Sequence, residues 1–459
     1  MNTAPHLHVS APPPVPLTPL DPWTAALVRE STIRPVSARA VEEFQLEKLR
    51  SVLAHAKENS PWYARHLQGF DPGHVARLQD VSTVPLTTAG DLREHGPAMC
   101  CVSQDEVARV VTLTSSGSTG KPKRVFFNKQ DLEATLDFFD HGMRTLVESG
   151  QRVMILLSGP TPDSTGDLLS RALARNGVDS LVYGLVQDPL AALEQARQYQ
   201  PHCLVGFPVQ LLVLARLDAA WGTRLNPAKI LLCSDYAPDS IIKYVEREWP
   251  CQALVHWGAT ETGLGGGVEC LAQQGSHLRQ ADLYVEIIDP ATGEPLPAGQ
   301  WGEIVVTTLR RQAQPLIRYR LGDLGRLLSG TCACGSSLVR LDKVQGRLSQ
   351  RPRLANGHVL GLALLDETLF RLELVVDFSA TLHGQGLDQE LRIRLKAMQT
   401  KGRESFDPLR YRAQEMLAAL PELQDTDQGP GPRLTLAVLP WDGEPFTAFK
   451  RTLTHETRP

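Results

Sequence analysis

The chain has 459 residues, too many for one ordinary core, so two or three domains are expected. Its 47 basic and 51 acidic residues leave a net charge of −4, which argues against a partner surface of nucleic acid or membrane. A hydrophobic fraction of 42% fits a soluble globular protein, no apolar run could span a bilayer, and eight cysteines in so long a chain do not form a disulfide framework.

The opening Met-Asn-Thr-Ala-Pro-His lacks a basic region ahead of an apolar core, so no signal peptide is expected and the expected compartment is cytoplasmic. Residues 1–22 are Pro-rich and read as a poorly ordered arm. Residues 24–56 carry helical periodicity, with Phe44, Leu46, Leu49 and Val52 on the buried side. From about residue 104 short apolar strands alternate with helices: strands at 153–157, 178–183, 202–206 and 230–233, and a helix at 168–176. That alternation predicts an α/β fold with a mostly parallel, helix-covered sheet. After about residue 281 the pattern changes to alternating strands at 283–289 and 301–309, a β-rich subdomain over 281–345 of a domain spanning 23–345. Gly346-Arg347 marks the boundary to a small α+β domain, 346–459, with strands at 391–395 and 434–439 and a helix at 408–420.

Residues 114–124 read Thr-Ser-Ser-Gly-Ser-Thr-Gly-Lys-Pro-Lys-Arg, five hydroxyl side chains, two glycines and three basic residues between two apolar strands. Ser115, Ser116, Gly117, Ser118, Thr119, Gly120 and Lys123 are candidates to wrap phosphate oxygens with hydroxyls, backbone N–H groups and positive charge. A Ser/Thr/Gly run alone would be a flexible hairpin turn. It is not a Walker A loop: Gly117 stands three positions before Gly120, and Pro122 occupies the place of Ser or Thr.

Four further segments carry chemistry. His256-Trp257-Gly258-Ala259-Thr260-Glu261 offers an aromatic face for a base at Trp257 and Gly258, and Thr260 and Glu261 offer oxygen ligands to Mg²⁺. Arg318-Tyr319-Arg320-Leu321-Gly322-Asp323-Leu324 places a carboxylate where both ribose hydroxyls could donate to it. Arg347 and Lys450 complete the set. Each alone has a plain alternative: a core Trp, a surface ion pair, a turn, a solvated lysine.

Together and in this order these motifs resemble the adenylate-forming superfamily of acyl-CoA synthetases over nearly the whole chain, and within it the phenylacetate–CoA ligases. The subgroup likeness rests on Leu46-Glu47-Lys48-Leu49, Ser60-Pro61-Trp62-Tyr63, Val84-Pro85-Leu86-Thr87 and Pro315-Leu316-Ile317-Arg318-Tyr319-Arg320. The resemblance implies two half-reactions, from ATP and a carboxylate to an acyl-adenylate and pyrophosphate, then to a CoA thioester and AMP. It implies ATP, Mg²⁺ and CoA as cofactors and substrates, with Glu261 holding Mg²⁺, Thr260 approaching the α-phosphate, Asp323 binding ribose with Arg347 close by, and Lys450 as catalytic lysine on a mobile C-terminal lid. A homodimer is compatible with it. Trp257 and Leu321 depart from the family's usual Tyr and Thr, no Ser-Gly precedes Lys450, and Ser349 stands where Asp or Lys is common. The acyl pocket should lie at the carboxyl ends of the strands, walled by Phe207, Ser234, Asp235, Tyr236, His256 and Trp257.

Cys270, His277, Cys332 and Cys334 could satisfy a structural tetrahedral Zn²⁺, all four positions being filled by protein; the alternative is four unrelated reduced residues. Similar Cys/His positions belong to some of the resembling ligases. Three functions follow for testing: an aryl-carboxylate–CoA ligase, an enzyme passing the adenylate to a carrier-protein thiol, and a catalytically degenerate binding protein. All depend on the Ser/Thr-rich hairpin and Asp323 sharing one cleft.

Overall fold

The computed structural model describes residues 14–29, 35–113, 121–159, 161–222, 225–399, 405–441, 443 and 451–456. Two antiparallel strands, β1 (Val107–Leu113) and β2 (Lys123–Asn128), form a separate hairpin. The central sheet opens with five parallel strands: β3 (Arg152–Leu156), β4 (Asp179–Val182), β5 (Cys203–Gly206), β6 (Lys229–Leu232) and β7 (Gln252–Trp257). Short antiparallel strands β8 (Gly267–Glu269) and β9 (Ser276–Leu278) extend it beyond β7. Strands β10 (Leu283–Ile288), β11 (Gly302–Thr308) and β12 (Tyr319–Gly325) then build their own three-stranded sheet. The two-residue strands β13 (Leu327–Leu328) and β14 (Arg340–Leu341) return to the central sheet, whose nine-strand order is β13-β14-β9-β8-β7-β6-β5-β3-β4. A four-stranded C-terminal sheet follows, made of β15 (Val375–His383), β16 (Glu390–Met398), β17 (Arg433–Trp441) and β18 (Leu453–Glu456) in the order β17-β16-β15-β18.

The continuous apolar runs of the parallel strands follow from burial on both faces. Val153 and Ile155 enter one core while Met154 and Leu156 enter another, and Leu231 is likewise separated from Ile230 and Leu232. The second core also takes in the C-terminal sheet. Helix Pro208–Trp221 joins the two regions: the Arg216 guanidinium donates to the carbonyls of Phe370 at 3.2 Å and Leu372 at 3.1 Å. No helix among the described residues is long and apolar enough to cross a membrane.

The chain thus has the expected α/β architecture, with two differences near its start. The 24–56 periodicity resolves into helices Leu20–Leu27 and Ala38–Asn59. Arg29, at φ +62°, ends the first, and Ser37 caps the second by accepting the Ala40 N–H. The predicted arm is packed from within its Pro-rich stretch. Leu20 is fully buried, and the Asp21 carboxylate accepts the Val36 N–H at 2.8 Å and the Ser336 hydroxyl at 2.5 Å. Val15 packs against Cys270, Cys332 and Cys334.

Candidate active site and metal centre

Strands β1 and β2 pair Leu113 with Lys123. Ser115, Ser116, Gly117, Ser118, Thr119, Gly120 and Lys450 lie outside the described residues. Lys123 Nζ lies 2.5 Å from Glu261 Oε1. Glu261 sits on the tight turn Thr260–Thr262, which follows β7 and is closed by Gly263 at φ +78°. Tyr319, the first residue of β12, directs its hydroxyl to the same Glu261 oxygen at 3.4 Å. Further along β12, Asp323 Oδ1 meets Arg347 Nε at 2.9 Å, and Arg347 Nη1 donates to the Leu321 carbonyl at 2.5 Å. The foot of the hairpin, the turn after β7 and the start of β12 therefore meet at Glu261, and together they border the candidate cleft.

Burial alone would push the Glu261 carboxyl up. The Lys123 charge and its hydrogen bond outweigh that, so the carboxyl sits below its ordinary range. The Tyr319 phenol is pushed up, first by burial and then by Glu261. Gly258 has no room for a side chain, since a Cβ there would stand 2.7 Å from the Leu264 carbonyl oxygen. The Trp257 indole is buried, and Gly266 lies so close that a Cβ on it would be 2.3 Å from Cζ3. The protein itself therefore covers part of the surface expected to stack on a base.

Beside this cleft an apolar cavity opens at the carboxyl ends of the parallel strands, with about 560 Å³ between its walls, open end included. Ser234 and His256 line it as expected. Phe207, Asp235, Tyr236 and Trp257 are not among its described lining residues, a correction to the expected wall. The reason is local: Ser234 adopts φ +71° after β6 and turns the following residues away. Tyr236 Oη donates to Glu367 Oε1 at 2.9 Å, Asp235 accepts the Arg451 N–H at 3.4 Å, and Phe207 is the N-cap of helix Pro208–Trp221.

The sequence reading missed the helix that supplies the other wall. Helix Lys129–Met143 contributes Phe138, Phe139, Gly142 and Met143. Their spacing of three and four residues puts them on one face, a signal that was present but looks like ordinary core.

Cys270, His277, Cys332 and Cys334 are brought together in the interior. Cys270 Sγ lies 3.6 Å from Cys332 Sγ, Cys334 Sγ lies 3.6 Å from His277 Nε2, and all four ligand atoms fall within 4.8 Å of one another. A tetrahedral ion with thiolate arms of about 2.3 Å and an imidazole arm of about 2.0 Å spaces its ligand atoms by about 3.5–3.8 Å. The donor set fits such an ion. Burial lowers the His277 pKa to about 4, aided by Arg340, which leaves the imidazole neutral as ligation requires.

The family model described as "AMP-binding enzyme" matches residues 41–309, more than half of the chain. The chain belongs to the AMP-binding enzyme family. This AMP-binding enzyme is 32% identical over 324 residues to the phenylacetate-coenzyme A ligase of Thermus thermophilus, covering 67% of this chain and 70% of the relative. It is 30% identical over 378 residues to the phenylacetate-coenzyme A ligase of Pseudomonas putida, covering 79% and 83%. Its fold is similar to that of a 2-hydroxyisobutyryl-CoA ligase crystallised in the postadenylation state, with a TM-score of 0.78 at 19% identity, over 92% of this chain and 90% of that one.

Proposed function

We propose that this AMP-binding enzyme activates a carboxylic acid with ATP and transfers the acyl group to CoA. In the first step a carboxylate oxygen attacks the α-phosphorus and the bond to pyrophosphate breaks. In the second the CoA thiol attacks the acyl carbon and the bond to AMP breaks. The observation that carries this reading is the convergence of Lys123, Glu261, Tyr319, Asp323 and Arg347 beside an apolar cavity. Two anions must meet there, so the site's task is to neutralise charge and to position the reactants.

In this reading Lys123 and the 115–120 loop hold the phosphates, Glu261 would hold Mg²⁺, Thr260 faces the α-phosphate and Asp323 with Arg347 takes the ribose. Mg²⁺ would supply further charge neutralisation at the phosphates. Lys450 is the proposed catalytic lysine; it directly precedes Arg451, whose guanidinium lies over the rings of Phe370 and Phe378 and pairs with Asp366 and Asp377. The acid is aryl or arylacetic, an assignment supported by the apolar walls and by the ligase relatives. The four-residue cluster holds a structural zinc, and residues 346–459 act as the lid domain.

Pyrophosphate release measured over aryl, arylacetic and aliphatic acids, with and without CoA, tests the proposal. The expected result is acid-dependent release, with CoA consumed to an acyl-CoA product. Release without consumption of CoA would redirect the acyl group to a carrier-protein thiol. Absence of acid-dependent release would overturn the reading.

A further inference from the structure

The cavity beside the cleft has an uneven chemistry. Phe138, Phe139, Leu157, Leu169, Val205 and Leu231 make its walls apolar, and none of its described lining residues is Asp, Glu, Lys or Arg. Within these walls stands His256 on β7. Its ring lies 6.1 Å from Phe138 and 6.5 Å from Phe139, centre to centre. Its Nε2 is buried and has no hydrogen-bond partner among the described residues.

The imidazole is held neutral. Burial lowers its pKa to about 4, and the nearby Arg279 charge works in the same direction. Arg279 is itself engaged, pairing with Asp282 at 2.7 Å and lying over the Phe138 ring at 4.9 Å. A second carboxylate on the substrate would therefore meet no cation among the described lining residues. A buried ring nitrogen without a partner is costly to keep, and orphaned polar groups of this kind belong to binding sites or to water. A neutral imidazole nitrogen is a donor in one tautomer and an acceptor in the other. A hydroxyl can answer either; an ether oxygen answers only one.

Width is provided by Gly142, near the end of the wall helix. A Cβ there would stand 3.5 Å from Val268 Cγ1, inside the cavity. The apolar space between these walls, open at one end, is offered to a single substituted ring.

We infer that the acid activated here is a hydroxyaryl carboxylate whose hydroxyl pairs with His256 Nε2, which makes His256 a specificity-determining residue. The inference rests on the acid-activating reading above and narrows its substrate. The other polar cavity groups, Thr165, Cys233 and Ser234, can bracket the hydroxyl but do not replace the orphaned nitrogen.

The test uses the full chain with ATP, Mg²⁺ and CoA, and measures kcat/KM for pyrophosphate release. The acids are phenylacetate, its three ring-hydroxylated isomers, 4-methoxyphenylacetate and a ring-substituted dicarboxylate. One hydroxy isomer is expected to exceed phenylacetate by roughly tenfold or more, because the unsubstituted acid leaves the buried nitrogen unpaired. The methoxy acid and the dicarboxylate are expected to fall below that isomer. In His256→Leu the ratio of hydroxylated to unsubstituted acid should fall to about one, and His256→Gln should restore part of it. Equal or poorer use of every hydroxy isomer by the wild-type chain overturns the inference, and does so even if His256→Leu fails to fold. An undiminished ratio in His256→Leu overturns it as well. Turnover of aliphatic acids alone removes the hydroxyaryl assignment and leaves the ligase reading standing. Failure of all acids, with ATP still raising the unfolding midpoint, removes the ligase reading and this inference with it.

Discussion

Replacing Lys123 by Met should destabilise the protein far more than the loss of one surface lysine would. Lys123 and Glu261 meet at 2.5 Å with side chains 16% and 4% exposed. At an effective dielectric of about 20 their attraction is roughly 7 kcal/mol, which is offset by several kcal/mol of desolvation for each ion, so the intact pair adds little net stability. Lys123→Met removes the attraction but leaves the Glu261 desolvation in place, and the expected loss is about 3–5 kcal/mol. Glu261→Gln should cost less, because the longer Lys123 stem can carry its ammonium toward water. The double variant Lys123→Met/Glu261→Gln should recover most of the loss.

The pH dependence carries the opposite sign in the two proteins. In the wild type the Glu261 pKa is depressed, so its contribution is present above the ordinary glutamate value of about 4.3 and is lost as pH falls below it. In Lys123→Met burial dominates and the pKa rises above that value. The deficit should then be greatest near pH 8 and shrink as pH falls toward about 5. Denaturant midpoints of the four proteins from pH 5 to pH 8, followed by one probe of the large domain, measure this. Equal midpoints for wild type and Lys123→Met, or a double variant less stable than Lys123→Met, would refute the reasoning.

Asp323→Ala should lower kcat/KM for ATP by roughly 10–100-fold, since hydrogen bonds to a charged partner are worth about 1.5–3 kcal/mol, while the dependence on acid concentration stays close to wild type; pyrophosphate kinetics with ATP varied at fixed acid check it. Metal analysis should return about one zinc per chain, with Cys334→Ser lowering both zinc content and the unfolding midpoint while Cys251→Ser, at a cysteine outside the cluster, changes neither. Gly142→Ala adds a methyl 3.5 Å from Val268 Cγ1, so it should shift preference toward smaller acids without lowering the unfolding midpoint, as read from relative kcat/KM across an acid series and from thermal melts.

Much of the candidate site was legible because the chemistry expected of it is carried by short segments of constrained composition. Thr260-Glu261 after an apolar strand and Asp323 in its own motif could be found from residue types alone, and Lys123 could be placed at the foot of the hairpin. The parallel strands were visible as apolar runs, and the four metal-type ligands by identity despite their sequence separation. The acyl wall was harder, because direction is not written in composition. Tyr236 stands two residues from Ser234, yet the positive φ of Ser234 sends it to Glu367 instead of the cavity. Phe138 and Phe139 carried the reverse error: at core spacing they read as filler, and only the fold sets them opposite His256. The Lys123–Glu261 ion pair joins residues 138 positions apart, and neither residue type nor spacing announces such a pairing.

The N-terminal stretch looks disposable, and a shortened protein beginning at the long helix Ala38–Asn59 would be a natural choice for crystallisation. Such trimming would strip Val15 from beside the three thiols, empty the pocket filled by Leu20, and take away the Asp21 carboxylate that receives Ser336, two residues past Cys334. Sulfurs now shielded would face oxygen and competing chelators. Preparations truncated in this way should therefore oxidise at these thiols on storage, and poor behaviour in the tube would reflect a missing cover more than a defect in catalysis.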